Sequence, residues 1–115
     1  MATDYPKPDS LLVGTRGVGK PFDLIYVKTP TLTPVAVAAT TITDQEFAVT
    51  GVAVGDYVVM VNYPEPTNNA NPVMAQSTEI NTIAVMYVNP TSGSLTPPSG
   101  QYTFLIFRPS SNPSL

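Results

Sequence analysis

Proline and glycine cut this chain into short pieces. Thirteen prolines and seven glycines are spread over 115 residues, and the longest stretch free of both is 73–89. Proline removes a backbone donor and fixes φ, and glycine costs about 1 kcal/mol in a helix interior, so long helices are excluded. The pieces are β-branched and aromatic, as strands require. They read as Phe22–Lys28 (FDLIYVK), Val35–Ala39, Glu46–Thr50 (EFAVT), Asp56–Asn62 (DYVVMVN), a weaker Val73–Thr78, Thr82–Asn89 (TIAVMYVN) and Gln101–Arg108 (QYTFLIFR). No window carries capped apolar residues at 3.6-residue spacing. The pattern predicts an all-β fold, an antiparallel β-sandwich or barrel-like domain of about seven strands with almost no helix.

The first 21 residues differ from the rest. Pro6, Pro8, Gly14, Gly17, Gly19 and Pro21 surround one short apolar patch, Leu11-Leu12-Val13. Such a segment reads as an extended N-terminal arm, able to reach at most about 70 Å when fully stretched. The expected organisation is therefore an arm over 1–21, a β domain over 22–109 and a flexible C-terminal tail over 110–115.

Two strands are apolar on both sides. One face of 102–107 carries Tyr102, Phe104 and Ile106, and the other carries Leu105 and Phe107. In 83–88 the faces are Ile83, Val85, Tyr87 and Ala84, Met86, Val88. A sandwich strand turns only one face to its own core. The second face needs a cover from the arm, a loop or another subunit, which points to a homo-oligomer.

Charge is scarce, at 11% of residues with a net −3. Four of the five basic residues (Lys7, Arg16, Lys20, Lys28) lie in the first 28 positions, and none lies between Thr29 and Phe107. That stretch holds Asp44, Glu46, Asp56, Glu65 and Glu79. An acidic body does not suit nucleic acid, and no uncharged apolar run is long enough to span a bilayer. The start MATDYPKPD lacks a signal-like apolar stretch, so synthesis in a cytoplasm is expected. The chain has no Cys and no His. Thiolate or imidazole zinc sites, disulfides, cysteine nucleophiles and His-based triads therefore lack their parts.

The remaining chemical candidates are weak. Gly14–Lys20 (GTRGVGK) satisfies G-x-x-x-x-G-K, but Pro21 stands where a phosphate loop needs Ser or Thr, and a strand-like run follows instead of a helix. Asp44 and Glu46, two apart on a strand, share one face without further acids nearby in sequence. Asp56 after Gly55 reads as turn chemistry. Asn89-Pro90-Thr91 cannot accept an N-glycan because proline is central. Phe47, Tyr57, Tyr87, Phe104 and Phe107 read as core, whereas Tyr5 in the arm and Tyr63 stand apart. Residues 64–72 (PEPTNNANP) read as an exposed loop tip, with Asn68, Asn69 and Asn71 as contact candidates. No enzyme and no cofactor is expected.

The body resembles a known family. Thr43–Asp56 (TDQEFAVTGVAVGD) with Val58–Asn62 (VVMVN), and later Thr82–Tyr102 (TIAVMYVNPTSGSLTPPSGQY) followed by an apolar strand ending in Arg108, are similar to small virion proteins of tailed bacteriophages. The similarity covers roughly residues 40–108; the polar 64–79 segment departs from it, and the arm is unmatched. The resemblance implies a decoration or cement protein on the capsid surface of a virion, with the major capsid protein as partner. A homo-oligomer is expected with it, a trimer favoured over a dimer because it suits local three-fold positions. In that role Leu11, Leu12 and Val13 anchor the arm, and Arg16 and Lys20, with Tyr5, meet the partner. The alternative is a tail, baseplate or fibre component that recognises a host surface.

Overall fold

The computed structural model describes residues 21–110, and every regular element among them is a strand. They are β1 (Phe22–Lys28), β2 (Thr31–Leu32), β3 (Thr41–Ala48), β4 (Tyr57–Asn62), β5 (Asn71–Glu79), β6 (Thr82–Asn89), β7 (Gly100–Gln101) and β8 (Thr103–Pro109). One sheet has the order β1-β8-β4, a second has β3-β6-β5, and β2 pairs with β7. All of these pairings are antiparallel. The all-β antiparallel expectation holds, with eight strands.

The differences from the sequence reading are local and have local causes. Val35–Ala39 is not a strand: Val37 alone bridges Leu95, through N–H···O bonds of 2.8 and 3.1 Å. Pro34 cannot donate on one side, and Thr40 turns into the left-handed region (φ 53°) on the other. The strand expected at Glu46–Thr50 starts earlier, at Thr41, since eight residues of β3 pair one for one with β6. The last strand is split at Tyr102, whose N–H donates to Pro30 O (2.9 Å). Gly100 and Gln101 therefore pair with β2.

Both three-stranded sheets contribute to one core. Ile83, Val85 and Tyr87 of β6 share the buried cluster with Phe104 and Ile106 of β8 and with Tyr102, Val37, Val49 and Val52. Sheets that close over a shared core in this way make a sandwich-like or barrel-like domain. Two polar groups inside the core are fully partnered. The Tyr87 hydroxyl donates to Tyr102 Oη (3.0 Å), and the Tyr102 hydroxyl donates to Pro98 O (2.7 Å). Burial raises both phenol pKa values, so both stay protonated. Asn89 is fully buried; its Nδ2 donates to Val37 O and Gly93 O, and its Oδ1 accepts from Thr91 N–H and hydroxyl. One side chain thereby holds the segments on both sides of the Val37–Leu95 bridge.

Turn chemistry closes the far end. Asn81 (φ 56°) makes the β5–β6 hairpin, and its Oδ1 accepts from Gly51 N–H (2.8 Å). Gly51 itself has φ 96°, which a side chain would strain.

The buried tyrosine relay predicts an asymmetry. Tyr102→Phe leaves both the Tyr87 hydroxyl and the Pro98 carbonyl without a partner, and is expected to cost about 2 kcal/mol. Tyr87→Phe removes only a bond that Tyr102 accepts, and is expected to cost about 1 kcal/mol. Urea titration of the two variants measures this, and the reverse order contradicts the relay.

Candidate functional site

The strongest electrostatic feature lies at one end of the β1-β8-β4 sheet. Asp56, 5% exposed, sits where the turn enters β4. Its Oδ1 accepts from Arg108 Nε (2.9 Å), and its Oδ2 accepts from Arg108 Nη2 (3.0 Å), the Tyr26 hydroxyl (2.6 Å) and Ala53 N–H (3.0 Å). Arg108 Nη2 also donates to Gly51 O (3.0 Å), and its guanidinium lies over the Tyr26 ring (5.7 Å). Burial acts to raise the Asp56 carboxyl, but the bonds from Arg108, Tyr26 and Ala53 outweigh it and hold the group at about 2. Burial, and then the bond to Asp56, push Tyr26 up to about 12. The hydrogen bond to Asp56 raises Arg108 further above its already high value. The Asp56 carboxylate, the Tyr26 hydroxyl and the Nε and Nη2 of Arg108 are all engaged within the fold, so the cluster is a structural clamp.

Among the described residues, the two outer sheet faces carry more than half of the exposed large hydrophobic side chains. On β1-β8-β4 the cross-strand rows are Phe22–Pro109, Ile25–Phe107–Tyr57 and Val27–Leu105–Val59. No side chain in these rows is charged. Ile25, Val27, Tyr57, Val59 and the neighbouring Val61 are 40–58% exposed. Phe22 packs edge-on against Tyr57 (6.2 Å) and tilted against Phe107 (5.1 Å). Three strands thus present a continuous apolar surface to solvent, which lone surface apolar residues do not do.

The outer face of β3-β6-β5 is different. Its rows are Ile42–Val88–Asn71, Asp44–Met86–Met74 and Glu46–Ala84–Gln76. Ile42 (63%) and Met74 (47%) are exposed, and Asp44, Glu46 and Glu79 stand among them. This face joins apolar groups to carboxylates and has no cation of its own sheet.

The candidates named from sequence are distributed as follows. Tyr5, Leu11, Leu12, Val13, Arg16 and Lys20 lie outside the described residues, as does Gly14–Lys20. Asn68 is half-buried and bound into the fold; its Nδ2 donates to Thr96 O (2.9 Å) and its Oδ1 accepts from Ala70 N–H (2.8 Å). Asn69 is exposed, and Asn71 begins β5, with its Oδ1 buried. Asp44 and Glu46 share the outer face of β3, and both are exposed. Tyr57 and Phe107, expected in the core, point outward, while Tyr63 packs against it. The sequence reading missed the Asp56–Arg108 pair. The available signal was that Arg108 is the first basic residue after Lys28 and follows a run of apolar residues. Among the described residues no group of three or more acidic side chains could hold a metal ion, and no helix is long and apolar enough to cross a membrane. Comparison with family models, curated proteins and solved structures finds no match.

The clamp sets a pH window. Asp56 is lowered from 3.8 to about 2 in the fold, so its stabilisation is present above pH 4 and lost as pH falls towards 2. The span corresponds to about 2 kcal/mol. Tyr26 is raised from 10.0 to about 12, so its contribution is present below pH 10 and lost as pH rises towards 12. Thermal melts from acid to alkaline pH are expected to show a plateau with a fall on each side. Asp56→Asn is expected to cost about 3 kcal/mol at neutral pH, because Arg108 loses its counter-charge. The same variant flattens the acid limb; an unchanged limb would assign it to other carboxylates.

Proposed function

We propose that this protein is a structural virion component, a decoration or cement protein on the outside of a phage capsid. The observation that carries the reading is that both outer faces of the sandwich display exposed apolar side chains. A cement protein stabilises by burying surface against more than one neighbour, and a body with two open faces has the valency for that. The face with Asp44, Glu46 and Glu79 suits a partner that offers apolar groups ringed by Lys or Arg. Major capsid protein is the partner that the motif resemblance over residues 40–108 suggests. The clamp and the tyrosine relay keep their polar groups engaged internally, which leaves binding as the work of the surfaces.

Quantitative mass spectrometry of purified particles tests the role. A copy number near that of the major capsid protein, or a simple fraction of it, is the expected result. A handful of copies per particle moves the protein to the tail, baseplate or fibres, with exposed Asn69 as the first place to look. Absence from particles overturns the virion role. Deleting residues 1–21 is expected to weaken particle binding by about tenfold or more while the melting curve of the body is unchanged. Unchanged binding removes the arm from the interface.

A further inference from the structure

We infer that the outer face of β1-β8-β4 is the surface through which copies of this chain associate. The capsid role is not a premise, since the inference concerns the isolated protein. Three observations lead to a second copy as the occupant.

The first is area. Taking the aliphatic and aromatic residues at roughly 150–200 Å² each, the exposures along Ile25, Val27, Tyr57, Val59 and Val61, with the partly covered Phe22, Leu105 and Phe107, leave about 600 Å² per copy. Two such faces bury about 1,200 Å², the lower bound for a specific, stable interface. The second is charge. The three cross-strand rows contain no Asp, Glu, Lys or Arg, so the rows themselves bring no like charges together; the one acid of β1, Asp23, lies at the bulge between Phe22 and Leu24. On the opposite sheet they would bring Asp44, Glu46 and Glu79 against their own likenesses with no cation between 29 and 107 to offset them. The third is the competing cover. Residues 1–20 join the sheet at Pro21, next to Phe22, and could reach the face. Their one contiguous apolar run is Leu11-Leu12-Val13, three side chains against eight. A flat sheet face is matched in extent by another sheet face, packed about 10 Å away.

The chain is free of cysteine, so an introduced thiol reports its own position alone. Leu105 lies on the middle strand of the face, between Val27 and Val59. Ile42, on the other sheet, is the control.

The experiment uses the full chain in sedimentation velocity, with a bismaleimide of about 10 Å span as the cross-linking probe. The expected result is an oligomer with a dissociation constant of roughly micromolar or tighter. Leu105→Cys is expected to cross-link between copies, and Ile42→Cys is not. Val59→Glu should weaken association by roughly 30-fold or more, the size of a hot-spot loss, with an unchanged far-ultraviolet spectrum. Where Val59→Glu fails to fold, Val59→Thr serves as a near-isosteric polar variant with a smaller shift in the same direction.

Three outcomes overturn the inference. Association that survives Val59→Glu and cross-links through Ile42→Cys assigns the contact to the other sheet. A monomer whose Leu105→Cys thiol reacts only after removal of residues 1–20 makes the arm the cover. A monomer with a freely reactive thiol leaves the face without a second copy. None of these bears on copy number in particles, so the two proposals fail separately.

Discussion

The carboxylate of Asp56 holds together the sheet whose outer face exposes Ile25, Val27, Tyr57 and Val59. Four donors converge on it from β1 (Tyr26), the turn before β4 (Ala53) and β8 (Arg108, twice). All three strands of the sheet are thus tied at one point. A two-stranded ribbon with a short neighbour is marginal in water, and three strands with one packed face are close to the minimum that stands alone. The clamp supplies what little polar cross-bracing the sheet has. Its consequence for function is indirect: with the strand ends held, the rows Ile25–Phe107–Tyr57 and Val27–Leu105–Val59 keep a common surface instead of twisting apart.

Much of this was legible in the chain because the signals were period-two and local. β6 could be read residue for residue, since Thr82–Asn89 is bounded by Asn81 and Pro90, and both its faces are apolar. β1 and β4 were legible for the same reason. The short ladder of β2 with β7 was not, because two-residue strands have no periodicity to detect. Nor was the break at Tyr102, which depends on Pro30, a carbonyl 72 residues earlier. Alternation also says that side chains divide between two faces without saying which face turns inward. Hydrophobicity alone assigns Tyr57 and Phe107 to the core, and the register places them in one outward row. Asp56 shows the same limit: its turn role follows from Gly55, but its partner is 52 positions away. Long-range polar pairs leave no local trace.

The open faces follow from the composition of single strands. A strand with four apolar residues in succession, such as 104–107, is apolar on both faces and can turn only one of them to its own core. What the fold adds is the identity of the excess: Leu105 and Phe107 are the outward pair, joined by Ile25, Val27, Tyr57 and Val59 from the flanking strands.

Charge scarcity then separates the two faces. Arg108, the sole cation after Lys28, is consumed by Asp56 inside the clamp. The acids that remain over 29–107 (Asp44, Glu46, Glu65 and Glu79) therefore have no basic neighbour from that stretch. A surface that is acidic without cations repels its own copies at short range and accepts basic partners, whereas an uncharged apolar face discriminates against neither. Within one small domain the two sheets thus have different partner rules. The uncharged one is suited to like meeting like, and the acidic one is left for something foreign. The apolar groups Ile42 and Met74 on that second sheet would supply the buried contact and its carboxylates the orientation.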